Sequence, residues 1–304
     1  MGMLDGKIAI VTGSGHGIGR GHAMELAKHG AKVVVNDLGG SVSGEGAGKA
    51  ADETVALIEE RGGVAVSNYG NVTDHEACGE MVQQAIDVFG GLDIVVNNAG
   101  IVRDAAIWNM PVEDWDAVMA VHVRGTWSLS HFAAKYFRDQ SKADSPRAGR
   151  IINTTSGAGL GGNFGQTNYG AAKLGLAGFT KSLYLEGAKN NIKVNSLAPL
   201  AGTRMTEDIM PEEAFKAFDP VNVVPAALFL VSEDAPTNTI IGAGGGFVHA
   251  ANVTMTRGVA LPAGERTPEA VAARWAEIID RTGETVPQSG AEQSMAAIQR
   301  LQGN

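Results

Sequence analysis

Cysteine is nearly absent from the 304-residue sequence, which contains one such residue, Cys78. A single thiol cannot form an internal disulfide, and it excludes a metal site built from cysteine ligands. Because so few thiols are typical of proteins in reducing compartments, we expect a cytoplasmic location. The seven histidines are scattered along the chain. They lack the spacing of a ligand set, so no metal ion is expected.

Long apolar runs and basic clusters are also missing. No stretch reaches the roughly 18 consecutive apolar residues that a membrane helix needs, so no membrane span is expected. The 33 Asp and Glu residues outnumber the 24 Lys and Arg residues, which gives a formal net charge of −9. A negative chain without a basic cluster repels a phosphate backbone, so nucleic acid is not an expected partner.

Glycine, by contrast, is abundant, with 41 residues, and 44% of the chain is apolar. Collagen spacing is absent and proline numbers only 10, so the composition is that of a globular protein. Apolar runs of strand length alternate with segments of helical period, which predicts βαβ units around a parallel sheet buried on both faces. The predicted strands are residues 7–12, 32–36, 64–67, 94–97, 150–155 and 193–197, with a short one near 240.

The predicted fold class is therefore α/β, with a single doubly wound, Rossmann-like domain whose parallel sheet is flanked by helices. We assign residues 1–255 to this domain and residues 256–304 to a C-terminal extension. Thr267 followed by Glu269 resembles a helix start, which predicts a helix over about 268–279. The extension either covers the substrate cleft or packs on a neighbouring subunit.

A glycine-rich turn, VTGSGHGIGR, follows the first predicted strand and precedes a helix. Glycine lets the backbone approach a pyrophosphate closely, and the first N–H groups of the next helix favour its negative charge. Because the turn lies between a strand and a helix, it predicts a dinucleotide phosphate site rather than a purely structural turn. The residues expected to contact the cofactor here are Gly13, Ser14, His16, Gly17, Ile18 and Gly19.

Asp37 ends the second predicted strand, the place from which a carboxylate accepts hydrogen bonds from an adenosine ribose and repels a 2′-phosphate. No Arg or Lys flanks Asp37, so NAD is expected as the cofactor rather than NADP. The alternative is that Asp37 is a solvated aspartate in a turn. Asn71 and Val72 follow the third strand region and are candidates to contact adenine. A role in a turn is the alternative for Asn71.

Tyr169 is the only one of four tyrosines with a lysine four residues later, Lys173. On a helix these side chains share a face, and a nearby ammonium lowers the pKa of a phenol, which can then act as a base. An isolated Tyr and Lys at this spacing usually lie on an exposed helix face. Here Ser156 ends a strand upstream, and the glycine-rich segment between them gives its hydroxyl a flexible route back towards Tyr169. The segment NNAG at 97–100 ends the fourth strand, where small residues let backbone approach a cofactor.

Together, TGSGHGIG, NNAG, Ser156 and YGAAK resemble the short-chain dehydrogenase/reductase family, from about residue 5 to residue 250. The resemblance implies that Tyr169 is the general acid/base and that Ser156 orients the substrate oxygen. It implies that Lys173 binds the nicotinamide ribose and lowers the pKa of the tyrosine. The cofactor contacts that it adds are Asn97, Ala99, Gly100, Tyr169, Lys173, Pro199 and Thr203.

Two positions depart from the family pattern. His122 lies where the family usually has an asparagine that joins a proton relay through water. It either takes part in that relay or has a buried structural role, and both readings stay open. The family's Pro-Gly pair after the sixth strand is Pro199 and Leu200 here, so this loop lacks the glycine of the family pattern.

A narrower resemblance concerns the reaction. The segments VHVRGTW, NFGQTNYGAAKLGL, APLAGTRMT and TPEAVAARW look like the (3R)-hydroxyacyl-CoA dehydrogenase unit of the peroxisomal type 2 multifunctional enzymes and its free-standing bacterial relatives. This implies NAD-dependent interconversion of a (3R)-hydroxyacyl-CoA and a 3-oxoacyl-CoA in fatty-acid or steroid side-chain oxidation. The alternatives are a 3-oxoacyl-carrier-protein reductase, a hydroxysteroid dehydrogenase and, from another class, a catalytically idle nucleotide-sensing protein.

The substrate side is less defined by the sequence. The expected partner is an acyl thioester or a steroid-like molecule, and the family implies a homodimer or homotetramer. A segment containing Met205, Ile209, Met210, Phe215 and Phe218 forms either an adaptable apolar lid or ordinary core. Arginines at 103, 124 and 204 are candidates to pair with coenzyme A phosphates, although single surface arginines are usually solvated.

Overall fold

The computed structural model describes residues 2–40, 48–143, 147–202 and 212–301. Its centre is an eight-stranded sheet with the strand order β3-β2-β1-β4-β5-β6-β7-β8. The strands are β1 (Ile8–Thr12), β2 (Lys32–Asn36), β3 (Val64–Asn68), β4 (Ile94–Asn97), β5 (Gly149–Thr154), β6 (Ile192–Pro199), β7 (Ile240–Gly244) and β8 (Phe247–Ala251).

Strands β1 to β7 are parallel, and the strand order reverses between β1 and β4. This reversal is the mark of a doubly wound sheet, so the predicted fold class is confirmed. The edge strand β8 differs from the prediction because it pairs antiparallel with β7.

The helices before the last strand pair are α1 (Gly17–Lys28), α2 (Ala50–Glu60), α3 (His75–Phe89), α4 (Val112–Met119), α5 (Gly125–Gln140), α6 (Gly157–Gly161), α7 (Thr167–Gly187), α8 (Glu212–Ala217) and α9 (Val224–Val231). Helices α1, α2 and α9 contribute to the core on one face of the sheet. Helices α3, α5 and α7 contribute to the core on the other face. No helix among the residues that the structure describes is long and apolar enough to cross a membrane.

The central strands are buried on both faces because consecutive side chains alternate between the two cores. In β2, Val33 and Val35 belong to one core, whereas Val34 belongs to the other. All three side chains have no exposed surface. An unbroken apolar run is therefore the correct sequence signal for such a strand.

Two short helical segments lie next to long helices. A π-helical turn at Ala120–Arg124 joins α4 to α5. A π-turn inserts an extra residue in a helix and is frequent at functional sites. The glycine-rich segment between Ser156 and Tyr169, expected above to be flexible, begins with the short helix α6, whose N-cap is Ser156.

The chain divides into two compact units between Ala251 and Asn252. The second unit contains α10 (Pro268–Ala273), α11 (Trp275–Ile278) and α12 (Ala291–Leu301). The predicted helix start is confirmed, since the Thr267 hydroxyl accepts a hydrogen bond from the Ala270 N–H. Our assignment of residues 1–255 to one functional domain stays a prediction.

Candidate active site

A single cleft of about 1130 Å³ runs along the carboxyl ends of the parallel strands in the first unit. The loops that follow β1, β2, β4, β5 and β6 all contribute to its lining. In a doubly wound sheet the carboxyl edge at the reversal of strand order is the usual binding position. The fold thus brings most of the sequence-predicted residues to one place.

The turn after β1 forms one wall of the cleft. Gly13 and Gly17 have φ values of +63° and +51°, a region that side chains with a Cβ rarely adopt. A Cβ on Gly19 would lie 2.1 Å from the carbonyl oxygen of Gly13, so the first turn of α1 can approach the loop only without one. His16, Gly17, Ile18 and Gly19 line the cleft with Gly13. Such a cradle, with the free N–H groups of a helix start, fits a pyrophosphate.

Ser14 is placed differently from the other residues of this turn. Its side chain is fully buried, and its hydroxyl donates to the carbonyl oxygen of Val11 at 2.7 Å. Ser14 is not among the cleft-lining residues. Its side chain therefore holds the turn together from behind.

Asp37 follows β2 and lines the same cleft. Its carboxylate accepts hydrogen bonds from the N–H groups of Gly15 and Gly39, each at 2.7 Å. These bonds fix a negative charge beside the glycine turn. Asn71 and Val72 also line the cleft, and the Asn71 side chain accepts bonds from the N–H and hydroxyl of Thr73 at 3.0 and 2.9 Å. Asn71 therefore has the turn role as well as a place at the cleft.

The two adjacent asparagines of the segment NNAG have different surroundings. Asn98, Ala99 and Gly100 line the cleft, and the Asn98 amide donates to the carbonyl oxygens of Thr12 and Gly13 at 3.0 and 3.1 Å. The side chain of Asn97 is buried behind the cleft and does not line it. Sequence reasoning missed Asn98, although its place as the first residue after the strand was a usable signal.

Asn97 is the start of a buried polar network. Its amide donates to Ser130 at 3.0 Å and to Asn153 at 2.9 Å. The Asn153 amide donates to the Thr180 hydroxyl at 2.9 Å, and that hydroxyl lies 2.8 Å from the Ser196 hydroxyl. The network thus joins β4, β5 and β6 to α5 and α7, and it helps to fix the position of α7 on the sheet.

Helix α7 carries Tyr169 and Lys173 into the cleft. The Lys173 ammonium donates to the carbonyl oxygen of Thr154 at 2.6 Å and lies 5.4 Å from the centre of the Tyr169 ring. The Thr155 hydroxyl donates to the backbone carbonyl of Lys173 at 2.5 Å, which ties α7 to the end of β5. Ser156 accepts a hydrogen bond from the Ala158 N–H at 3.2 Å and lies within hydrogen-bonding distance of Tyr169.

Close packing, rather than a flexible loop, returns Ser156 to Tyr169. Helix α6 packs against α7, and a Cβ on Gly159 would lie 2.8 Å from the backbone nitrogen of Leu174. The glycine lets two helices meet backbone to backbone. The structure thereby brings together Ser156, Tyr169 and Lys173, as the sequence predicts.

The pKa values of Tyr169 and Lys173 differ from what the sequence predicts. Burial raises the pKa of Tyr169, and a hydrogen bond with Ser156 partly opposes this rise. Burial also lowers the pKa of Lys173 to about 7. The predicted lowering of the tyrosine pKa by Lys173 is therefore absent from the protein alone, because a low-polarity site disfavours both charges.

His122 lies in the π-turn and is buried beside the cleft. Its Nε2 lies 2.8 Å from the carbonyl oxygen and 3.2 Å from the amide nitrogen of Ile101, and its ring meets the Tyr169 ring edge-on at 5.2 Å. Burial and the positive charge of Lys173 hold the pKa of His122 well below its ordinary value. A neutral ring that donates from Nε2 leaves Nδ1 as an acceptor, and this atom has no hydrogen-bond partner among the described residues.

The remaining predicted contacts fall into three groups. Pro199, Leu200 and Phe215 line the cleft, and Phe218 packs where a Cβ of Gly245 would lie. Arg103 lines the cleft and forms an ion pair with Asp114 at 2.9 Å, whereas Arg124 is an exposed residue outside the lining. The positions outside the described residues are Thr203, Arg204, Met205, Ile209 and Met210.

Comparison with known proteins agrees with this geometry. Residues 7–214 match the family model of the short chain dehydrogenases. The chain is 41% identical to the peroxisomal multifunctional enzyme type 2 of Mus musculus over 302 residues, which is 98% of this chain but 40% of that enzyme. It is 41% identical over 240 residues to a hydroxyacyl-CoA dehydrogenase of Mycobacterium tuberculosis, covering 76% of this chain and 74% of the relative. A crystal structure of a short chain dehydrogenase from Mycobacterium avium superposes with a TM-score of 0.81 at 42% identity, covering 95% of this chain and 100% of that one.

Proposed function

Because the chain belongs to the short-chain dehydrogenase family and is an oxidoreductase acting on CH–OH groups, we propose that it oxidises a (3R)-hydroxyacyl-CoA to the 3-oxoacyl-CoA with NAD. The observation that carries this proposal is the meeting of Ser156, Tyr169 and Lys173 in one cleft with the glycine turn. The name of the relative from Mycobacterium tuberculosis, a hydroxyacyl-CoA dehydrogenase, supports the thioester substrate. The cytoplasmic location stays a prediction.

The geometry supports NAD as the cofactor. The Asp37 carboxylate is held at the cleft by the N–H groups of Gly15 and Gly39. From this position it can accept from ribose hydroxyls, and its charge repels a 2′-phosphate. The glycine turn at Gly13 and Gly19, whose close packing a Cβ would prevent, fits the pyrophosphate of such a cofactor.

A bound nicotinamide cofactor supplies the hydride acceptor for the alcohol carbon. Tyr169 takes the proton of the substrate hydroxyl at its phenolic oxygen, and Ser156 donates a hydrogen bond to the substrate oxygen. Lys173, anchored by the carbonyl of Thr154, lies beside the phenol, and its charged form favours the phenolate. His122 acts as a positioning residue, since its bond to Ile101 fixes the backbone after β4 beside Tyr169.

A homo-oligomer is part of the proposal, with a second copy of the chain covering the outer face of α7. Ala171, Leu174, Gly175, Gly178 and Leu185 are exposed on this face. Leu174 and Leu185 keep 46% and 49% of their surface exposed, and the two glycines permit close helix approach. Light scattering of the wild type and of Leu174→Arg tests this, and a monomeric wild type would contradict it.

The decisive experiment measures initial rates with stereodefined (3R)- and (3S)-hydroxyacyl-CoAs, a 3-oxoacyl carrier protein and hydroxysteroids, with NAD and NADP compared. We expect turnover of the (3R)-hydroxyacyl-CoA with NAD. Tyr169→Phe should lose at least about 100-fold in kcat, because it removes the acid/base group, and should still bind NAD.

The other arms of the same experiment separate the alternatives. Preference for a carrier-protein thioester with NADPH, or for a free hydroxysteroid, would replace the proposed substrate. Binding of NAD in a calorimeter with no turnover of any alcohol or ketone would instead indicate a nucleotide-sensing protein. Wild-type activity in Tyr169→Phe would refute the catalytic assignment.

A further inference from the structure

The edge strand β8 exists because of a glycine turn that follows β7. Gly245 and Gly246 have φ values of +56° and +80°, so both lie in the left-handed region. Two such residues between paired strands form the type of turn that matches the twist of a hairpin. The turn brings Phe247 opposite Gly244 and His249 opposite Gly242. Four residues of the hairpin thus share one face of the sheet.

On that face, two aromatic rings of β8 lie beside two glycines of β7, which have no side chains. The Phe247 and His249 rings stack with their centres 5.0 Å apart and an interplanar angle of 25°. A Cβ on Gly242 would lie 2.1 Å from Cε1 of His249, so the imidazole lies over the strand where a side chain would otherwise be. A Cβ on Gly244 would lie 1.9 Å from the carbonyl oxygen of Leu200. We call Phe247 and His249 the ring wall.

The ring wall belongs to the same cleft as the reacting groups. Phe247, His249 and Gly244 line the cleft that also contains Tyr169 and Ser156. Phe247 keeps 65% of its surface exposed, which is unusual for a phenylalanine without a partner to cover it. Neither ring has a part in the proton transfer or in the cofactor cradle described above.

We propose that the ring wall determines substrate specificity by binding the part of the substrate beyond its reacting carbon. The proposal rests on the proposed function, and it selects a broad, rigid, apolar group, such as a fused-ring body, over a single unbranched chain. A flat group can pack face to face on this stacked pair of rings, whereas a chain one carbon wide covers only part of a ring face. A rigid body also loses less conformational freedom on binding than a flexible chain.

The test compares two (3R)-hydroxyacyl-CoAs of matched carbon number, one with a fused-ring body and one with a straight chain. We expect Phe247→Ala to lower kcat/KM for the ring-bearing substrate about tenfold, mainly through KM, because the contact is made equally in ground and transition states. The straight-chain value should change less than about twofold. Phe229→Ala is the matched control, since Phe229 is 49% exposed on α9 and does not line the cleft.

A second variant tests the wall without removing a ring. In Gly242→Ala the new methyl group displaces the His249 imidazole. The preference for the ring-bearing substrate over the straight-chain one should therefore fall again. Thermal unfolding of the variant checks that its fold is intact. Equal losses for both substrates, or no loss in either variant, would overturn the ring wall. If the wild type turns over no hydroxyacyl-CoA, the proposed function fails. Calorimetric binding of the two thioesters to wild type and Phe247→Ala then tests the wall on its own, with the same preference expected.

Discussion

His22 provides a sharp test of how burial controls the stability of this fold at acidic pH. It lies on α1, the helix that begins at the phosphate cradle, and only 1% of its surface is exposed. Neither ring nitrogen has a hydrogen-bond partner among the described residues. Its surroundings are the apolar side chains of Leu26 and of Val224 and Val231 on α9. Burial lowers the pKa of His22 from 6.5 to about 4.

The magnitude follows from the difference between the two pKa values. The unfolded chain binds a proton near pH 6.5, whereas the folded protein binds it only near pH 4, so stability is lost as the pH falls through this interval. The full difference corresponds to about 3 kcal/mol, and about 2 kcal/mol of it is already lost between neutral pH and pH 5. This is a large share of a typical unfolding free energy of about 5–15 kcal/mol.

The assay is denaturant unfolding at about pH 7.5 and pH 5 for the wild type, His22→Leu and His29→Gln. We expect His22→Leu to lose about 2 kcal/mol less than the wild type between the two pH values, because its side chain does not titrate. His29, half-buried at the end of the same helix, is the matched control, and its variant should follow the wild type. An identical pH dependence in His22→Leu and the wild type would refute the reasoning.

Substitutions at three further positions test the site and the buried network behind it. Asp37→Ser should lower kcat/KM with NAD about tenfold or more and raise that with NADP, since it removes a charged acceptor and a repelling charge; unchanged cofactor preference in initial rates would contradict this. His122→Asn should retain the bond to Ile101 and most of kcat. His122→Leu should lose at least about tenfold in kcat with little change in the KM for NAD. Equal kcat values in the two variants would exclude a positioning role. Thr180→Val should lower the unfolding free energy by about 1–3 kcal/mol, because the amide N–H of Asn153 loses its acceptor, and Thr180→Ser should restore it. Equal stability of the two variants in denaturant unfolding would contradict this.

The sheet was predictable because its strands carry strong local signals. The run Val33 to Val35 is apolar without alternation, which is what a strand covered on both faces requires. The glycine turn and the Tyr169–Lys173 spacing were readable for the same reason, since each acts through neighbours within one or two turns of helix.

The parts that sequence reasoning missed depend on contacts between distant segments. Strand β8 is exposed almost throughout, so its sequence FVHAA has no burial pattern to reveal it. Helix α6 consists mostly of glycine, a poor helix former, and exists by packing on α7. Asn97 and Asn98 are adjacent in sequence, but the end of β4 sends one side chain into the buried network and the other to the cleft.

The ionisation of Tyr169 and Lys173 is the clearest case in which a local motif is not sufficient. Four residues apart on α7, the two groups are close enough for the ammonium to stabilise the phenolate. Yet the same burial that shields the reaction from water raises the pKa of the phenol and lowers that of the ammonium to about 7. Among the described residues, the ammonium donates a hydrogen bond to a neutral carbonyl, that of Thr154, which does not replace its lost hydration. An effective base at Tyr169 therefore needs polar partners beyond these two side chains, because such partners offset the burial of the Lys173 ammonium.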